Sequence, residues 1–151
     1  KFESGIAVSN TIVWSPDNTK FYFTDTFSQT IFSYDFDLEK GQISNKKEFV
    51  KYEKGYPDGS TVDSEGGLWS CRWGGSSVVR FDSNGKLDEV IELPVANVTS
   101  CTFGGENLDT LFITTARWGM TAEQINQNPI AGGLFSVKPG IKGLADNQFG
   151  A

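Results

Sequence analysis

The stretch Gly55-Tyr56-Pro57-Asp58-Gly59, laid beside Ser9-Asn10, decides how this chain folds. Asn10 is followed by Thr11, Ile12, Val13, Trp14, Ser15, Pro16, Asp17 and Asn18; Asp58 by Gly59, Ser60, Thr61, Val62, Asp63, Ser64, Glu65 and Gly66. With Asn10 placed on Asp58, Asn18 falls on Gly66 without a gap. Each run reads as a polar residue, a short strand, a turn and a second strand. A third copy sets Thr99-Ser100-Cys101-Thr102-Phe103 on Asp58-Gly59-Ser60-Thr61-Val62, so Thr99 takes the place of Asn10 and Asp58. A period of roughly 40 to 50 residues with four strands per repeat suits a propeller blade. Equivalent positions of a radial repeat converge on one axis. Two oxygen-bearing side chains converging there are what a hard divalent cation needs.

Outward from these motifs, aromatics, β-branched residues and 17 glycines point to short strands and tight turns. The first repeat predicts strands at 11–15, 20–25, 30–37 and 47–51. The second predicts them at 60–63, 67–73, 77–81 and 90–92, and the third at 100–103, 110–115 and 133–138. Turns are marked by Ser15-Pro16-Asp17-Asn18, Ser64-Glu65-Gly66-Gly67 and Ser83-Asn84-Gly85. One short helix is expected over 121–126, stopped by Pro129. The chain therefore reads as all-β, a β-propeller of about three four-stranded blades at about 9–54, 55–95 and 96–140, with no separate second domain. Propellers close with about four to eight blades. Three leave two open flanks, so a missing N-terminal half or a second copy of the chain is expected to close the ring.

Composition narrows the chemistry. The 151 residues suffice for one domain with a sizeable core. A net charge of −6, with Lys and Arg scattered, argues against nucleic acid. No apolar run approaches a membrane span and no signal-peptide pattern is present, so a cytoplasmic protein without a membrane partner is expected. Lys1 rather than Met opens the chain, which points to a start that is trimmed, processed or internal to a longer chain. Cys71 and Cys101 follow no metal or redox spacing and read as buried free thiols, with a disulfide as the alternative. The absence of His removes Ser-His-Asp and Cys-His catalysis and His zinc sites.

The ordered series of motifs is specific enough to carry a family resemblance over essentially the whole chain. It includes Val8-Ser9-Asn10, Trp14-Ser15-Pro16-Asp17, Tyr22-Phe23-Thr24-Asp25-Thr26, Gly55-Tyr56-Pro57-Asp58-Gly59, Leu68-Trp69 and Trp73-Gly74-Gly75. It continues through Val79-Arg80-Phe81-Asp82, Leu93-Pro94-Val95, Val98 to Gly105, Leu108 to Leu111, Thr114-Thr115-Ala116-Arg117 and Ala131-Gly132-Gly133-Leu134-Phe135. The chain resembles the C-terminal half of the senescence marker protein, regucalcin and gluconolactonase family, which are six-bladed propellers. The resemblance implies half of a six-bladed ring and one divalent cation near its axis, Ca²⁺ first, with Zn²⁺, Mg²⁺ or Mn²⁺ as alternatives. It implies Asn10 and Asp58 as metal ligands, and further ligands and substrate groups in the other half. Thr11 departs from the family motif, which has Gly there. Gly tolerates positive φ and Thr does not, so either this position is extended or the loop carrying Asn10 is reshaped.

The implied activity is metal-dependent hydrolysis of a small-molecule sugar-acid lactone once the ring is complete. The cation would polarise the carbonyl and lower the pKa of bound water. Asp58 is the catalytic candidate, read as a metal ligand before a base, because a carboxylate beside a cation stays ionised. Asn10 and Asp58 also read as plain turn residues. Arg117 is read either as a contact for an anionic substrate or as a structural ion pair. Arg72 is expected to form a cation–π pair with Trp73 at a blade surface. Trp14, Trp69, Trp73 and Trp118 are expected to pack blades, and Asp25, Asp35, Asp37 and Asp82 to bond turns. The alternatives are a non-catalytic calcium-binding propeller module and a luciferin-regenerating or esterase-like relative.

Overall fold

In Leu68-Trp69-Ser70-Cys71-Arg72 and Val78-Val79-Arg80-Phe81, successive side chains point to opposite faces of a sheet, and every one of them is buried. Leu68, Val79 and Phe81 pack with Tyr22, Ile31 and Val62 on one side. Trp69, Cys71 and Val78 pack with Val98, Cys101, Phe103, Leu111 and Ile113 on the other. These two strands belong to the middle one of three stacked sheets, so neither face meets water.

The computed structural model describes residues 1–145. The first sheet holds β1 (Ser9–Trp14), β2 (Lys20–Asp25), β3 (Thr30–Asp37) and β4 (Gln42–Lys51) in sequence order. The second holds β5 (Tyr56–Val62), β6 (Leu68–Trp73), β7 (Ser77–Phe81) and β8 (Leu87–Glu92). The third holds β9 (Val98–Gly104), β10 (Thr110–Thr115) and β11 (Leu134–Val137), with α1 (Ala122–Gln127) between the last two. All neighbouring strands are antiparallel. The first strands of the sheets stand side by side, β1 against β5 and β5 against β9. This is a row of three propeller blades.

The third blade has three strands among the described residues, at the three stretches expected, 100–103, 110–115 and 133–138. After β11 come Pro139 and Gly140, the latter at φ +84°, and the chain leaves the sheet edge. It returns across the blades, where Ser64 N–H donates to Lys142 O (2.9 Å) and Gly143 N–H to Leu108 O (2.8 Å). Asn10 and Asp58 stand inside β1 and β5 rather than ahead of strands at 11–15 and 60–63. Pro57 is accommodated because β5 is the edge of its sheet and one missing N–H there breaks no central ladder.

The turns follow one device. Asp17 Oδ1 accepts from Thr19 N–H (3.0 Å), Asp63 Oδ1 from Gly67 N–H (2.9 Å) and Asp82 Oδ1 from Lys86 N–H (2.9 Å). Asp63 goes further: it is fully buried, and its Oδ2 accepts from Trp69 Nε1–H and Arg80 Nε–H, each at 2.7 Å. Burial works against the Arg80 charge, but the hydrogen bonds to Asp63 and Asp88 more than offset it and raise the guanidinium pKa. The helix begins on a capping box between Thr121 and Gln124. Cys71 and Cys101 are free and buried, and burial pushes the Cys71 thiol up. Among the described residues no helix is long and apolar enough to cross a membrane.

Candidate functional site

The three repeats share a defect in pairing. Between Asn10↔Thr24 and Val13↔Tyr22, the two residues Thr11 and Ile12 face Phe23 alone. Between Pro57↔Arg72 and Ser60↔Ser70, Asp58 and Gly59 face Cys71 alone. Between Val98↔Thr115 and Ser100↔Thr114, Thr99 is the extra residue. A β-bulge re-aims side chains and is favoured beside functional sites. Here the bulges stand next to one another, because β1, β5 and β9 are neighbours.

Asn10 and Asp58 line one cavity of about 390 Å³, together with Val8, Thr26, Phe27, Tyr56, Trp73 and Trp118. Asn10 Nδ2 donates to Thr26 Oγ1 at 2.8 Å. Its Oδ1 accepts no hydrogen bond among the described residues. Asp58 is half-buried; burial pushes its carboxyl pKa up, opposed by the Gly59 N–H. It makes no ion pair among the described residues. A half-buried carboxylate without a cation beside it, next to an amide oxygen without a donor, is a fit for a hard divalent ion. Two protein oxygens are fewer than such an ion takes, and no cluster of three or more His, Cys, Asp or Glu occurs among the described residues. Water or further chain has to complete the set.

Thr11 overturns the expectation drawn from its side chain. It adopts φ +50° and is 2% exposed. Its Oγ1 donates to Asp58 O at 3.1 Å and lies 2.8 Å from Ser60 Oγ. The position is the left-handed residue of a bulge, where Gly is the usual occupant. Gly59, the equivalent residue in β5, leans on the next blade instead: a Cβ there would lie 2.5 Å from Ser100 Oγ and 2.8 Å from Thr99 O.

The walls were not foreseen. Trp73 and Trp118, expected to pack blades, pair edge-on at 5.9 Å on the cavity, and Trp118 is 81% exposed. Phe27 and Tyr56 form a second edge-on pair at 6.0 Å. Trp73 lies opposite Tyr56 in the β5–β6 ladder, two residues from Asp58; that register is the signal that would have placed it. Trp69 does pack a blade core. Arg72 is a second correction: it is buried, stacks on Tyr52 at 5.2 Å rather than on Trp73, and donates to the carbonyls of Tyr52, Lys54 and Gly55. Burial pushes its pKa down to about 10. Arg117 makes no ion pair among the described residues. Its Nε and Nη2 donate to Ala131 O (2.7 Å) and Pro129 O (2.8 Å), clamping that turn. Thr99, bonded to Thr114, does not line the cavity. Asp25, Asp35, Asp37 and Asp82 bond turns or neighbouring lysines.

Three bulged antiparallel blades stacked through their first strands define a β-propeller protein with its candidate site at the inner strands. Residues 1–117 match the family described as SMP-30/Gluconolactonase/LRE-like region, and the chain belongs to that family. Regucalcin of Homo sapiens is 40% identical over 153 aligned residues, which cover 99% of this chain and 51% of that protein. The crystal structure of a calcium-binding protein, regucalcin, from Agrobacterium tumefaciens superposes with a TM-score of 0.94 at 30% identity, covering 100% of this chain and 52% of that one. A gluconolactonase from Xanthomonas campestris gives a TM-score of 0.64 at 32% identity, over 74% of this chain and 36% of that one. The chain spans about half the length of the curated relatives it matches.

Proposed function

We propose that this chain supplies the Asn10–Asp58 side of a cation-assisted hydrolase site for a cyclic ester, with a sugar-acid lactone as the substrate class and Ca²⁺ as the first candidate ion. The observation that carries the reading is the half-buried Asp58 carboxylate, which makes no ion pair among the described residues and shares one cavity with Asn10. Support comes from kinship with proteins named regucalcin and gluconolactonase.

When bound, such an ion supplies Lewis-acid polarisation of the ester carbonyl. The residues of the chain do the rest. Asp58 brings the negative charge that holds a cation in a partly apolar cavity. Asn10 brings a neutral oxygen, turned by the bond from its Nδ2 to Thr26. Phe27, Tyr56, Trp73 and Trp118 supply the apolar part of the cavity wall. The row of blades closes with a further half or with a second copy, which would cover apolar flank residues such as Ile12 (59% exposed) and Leu134 (68% exposed).

The test is hydrolysis of glucono-δ-lactone followed by acid release, with and without Ca²⁺, in wild type and Asp58→Ala. Turnover that needs the ion and vanishes in the variant is expected. Full activity in Asp58→Ala refutes the reading. Ca²⁺ binding without turnover leaves the alternative, a calcium-binding propeller without catalysis.

A further inference from the structure

We infer that Thr11 is the positioning residue that locks the two oxygen donors of the site at a fixed separation, a role resting on the cation-site reading above. Asn10 and Asp58 belong to different blades, and no hydrogen bond joins their side chains among the described residues. The Thr11 hydroxyl supplies the missing connection. It follows Asn10 directly, donates to the carbonyl of Asp58 itself at 3.1 Å and meets Ser60 Oγ at 2.8 Å. One buried side chain therefore grips the bulge that carries the carboxylate from the bulge that carries the amide.

The backbone at this place is one that Thr rarely adopts. A β-branched residue in the left-handed region is unfavourable, and such conformations persist where the surroundings over-determine them, commonly at ligand sites. At φ +50° and 2% exposed, Thr11 is held by the two contacts of its own hydroxyl. The same step one blade on has no such stitch, since Gly59 meets Ser100 and Thr99 by bare contact, and Thr99 does not line the cavity. The hydroxyl thus occurs at the blade junction where two oxygen donors have to be kept in register.

Three variants separate positioning from mere packing. Thr11→Gly frees the backbone and removes the hydroxyl. Thr11→Val keeps the shape without the hydroxyl, and Thr11→Ser keeps the hydroxyl without the branch. Calorimetric titration with Ca²⁺ alone gives the affinity, and the melting temperature of the cation-free protein gives the structural effect. Thr11→Gly should melt no lower than wild type yet bind Ca²⁺ about tenfold more weakly, the scale on which supporting residues act at metal sites. Thr11→Ser should bind within about twofold of wild type, because one hydroxyl replaces another on the same acceptors. Thr11→Val should lose both affinity and stability. Wild-type affinity in Thr11→Gly overturns the inference and leaves the cation site standing. Affinity and melting temperature falling in step in all three variants, Ser included, reduces Thr11 to a packing residue and also overturns it. A wild-type protein that binds no Ca²⁺ overturns the inference and the site reading together.

Discussion

Replacing Asp63 with Asn removes one charge and almost no volume, so it isolates the network that joins the middle blade's turn to its core. Both carboxylate oxygens are committed: Oδ1 accepts from Glu65 N–H and Gly67 N–H at 2.9 Å each, Oδ2 from Trp69 Nε1–H and Arg80 Nε–H at 2.7 Å each. Whichever way the amide turns, its NH₂ faces two donors. Two buried donors left without acceptors cost about 1–3 kcal/mol each, and breaking one side of a buried ion pair costs about 3–5 kcal/mol. These terms overlap, and Arg80 keeps Asp88 and Glu65, so a loss of about 4 kcal/mol is expected. For a domain of this size that is about 10 °C in melting temperature. Urea denaturation followed by tryptophan fluorescence reads it directly, because Trp69 is a partner. The midpoint should fall with an unchanged slope. Asp82→Asn, at an exposed turn of the same geometry, should cost far less. A loss below about 1 kcal/mol in Asp63→Asn, the level of ordinary surface changes, would refute the claim that the buried turn network holds the blade.

Gly59→Ala puts a Cβ 2.5 Å from Ser100 Oγ and 2.8 Å from Thr99 O; overpacking of this kind costs about 1–3 kcal/mol, seen as a lower urea midpoint. Asp25 accepts from Val8 N–H (3.1 Å) and Ala7 N–H (3.2 Å), and these bonds hold its carboxyl below the usual aspartate value of 3.8. A depressed folded pKa gives stability that is present above 3.8 and lost as pH falls further. Normalised amide-exchange protection of Val8 should therefore decline below that pH in wild type and be low at every pH in Asp25→Ala. Trp118→Ala, at an 81% exposed position on the cavity wall, should leave the melting temperature within about 2 °C, as surface changes do, while lowering affinity for whatever fills the cavity.

Much of the fold was legible because alternation and turn chemistry agreed. The strands at 20–25, 30–37, 77–81 and 110–115 match the observed bounds. Their β-branched and aromatic residues sit between turn residues that leave no other register. The misses fall where local preference is overridden. Asn10, Pro57 and Asp58 are poor strand formers, yet bulges and an edge position take them into β1 and β5. Thr11 in the left-handed region is against propensity and is held by a contact 47 residues away. Arg72 found Tyr52 and three carbonyls because burial leaves a guanidinium few other acceptors. The side-by-side placement of Asn10 and Asp58 followed from repeat equivalence alone. The aromatic wall did not, because Trp118 lies on a loop whose course no periodicity fixes.

Asn10 and Asp58 are proposed to hold one divalent cation between adjacent blades. Calorimetric titration of Ca²⁺ into wild type, Asn10→Ala and Asp58→Asn at neutral pH tests it most directly. Saturable binding is expected in wild type, weakened by at least about tenfold in each variant, with folding intact by circular dichroism. Equal affinity in wild type and Asp58→Asn would contradict it and place any bound ion elsewhere.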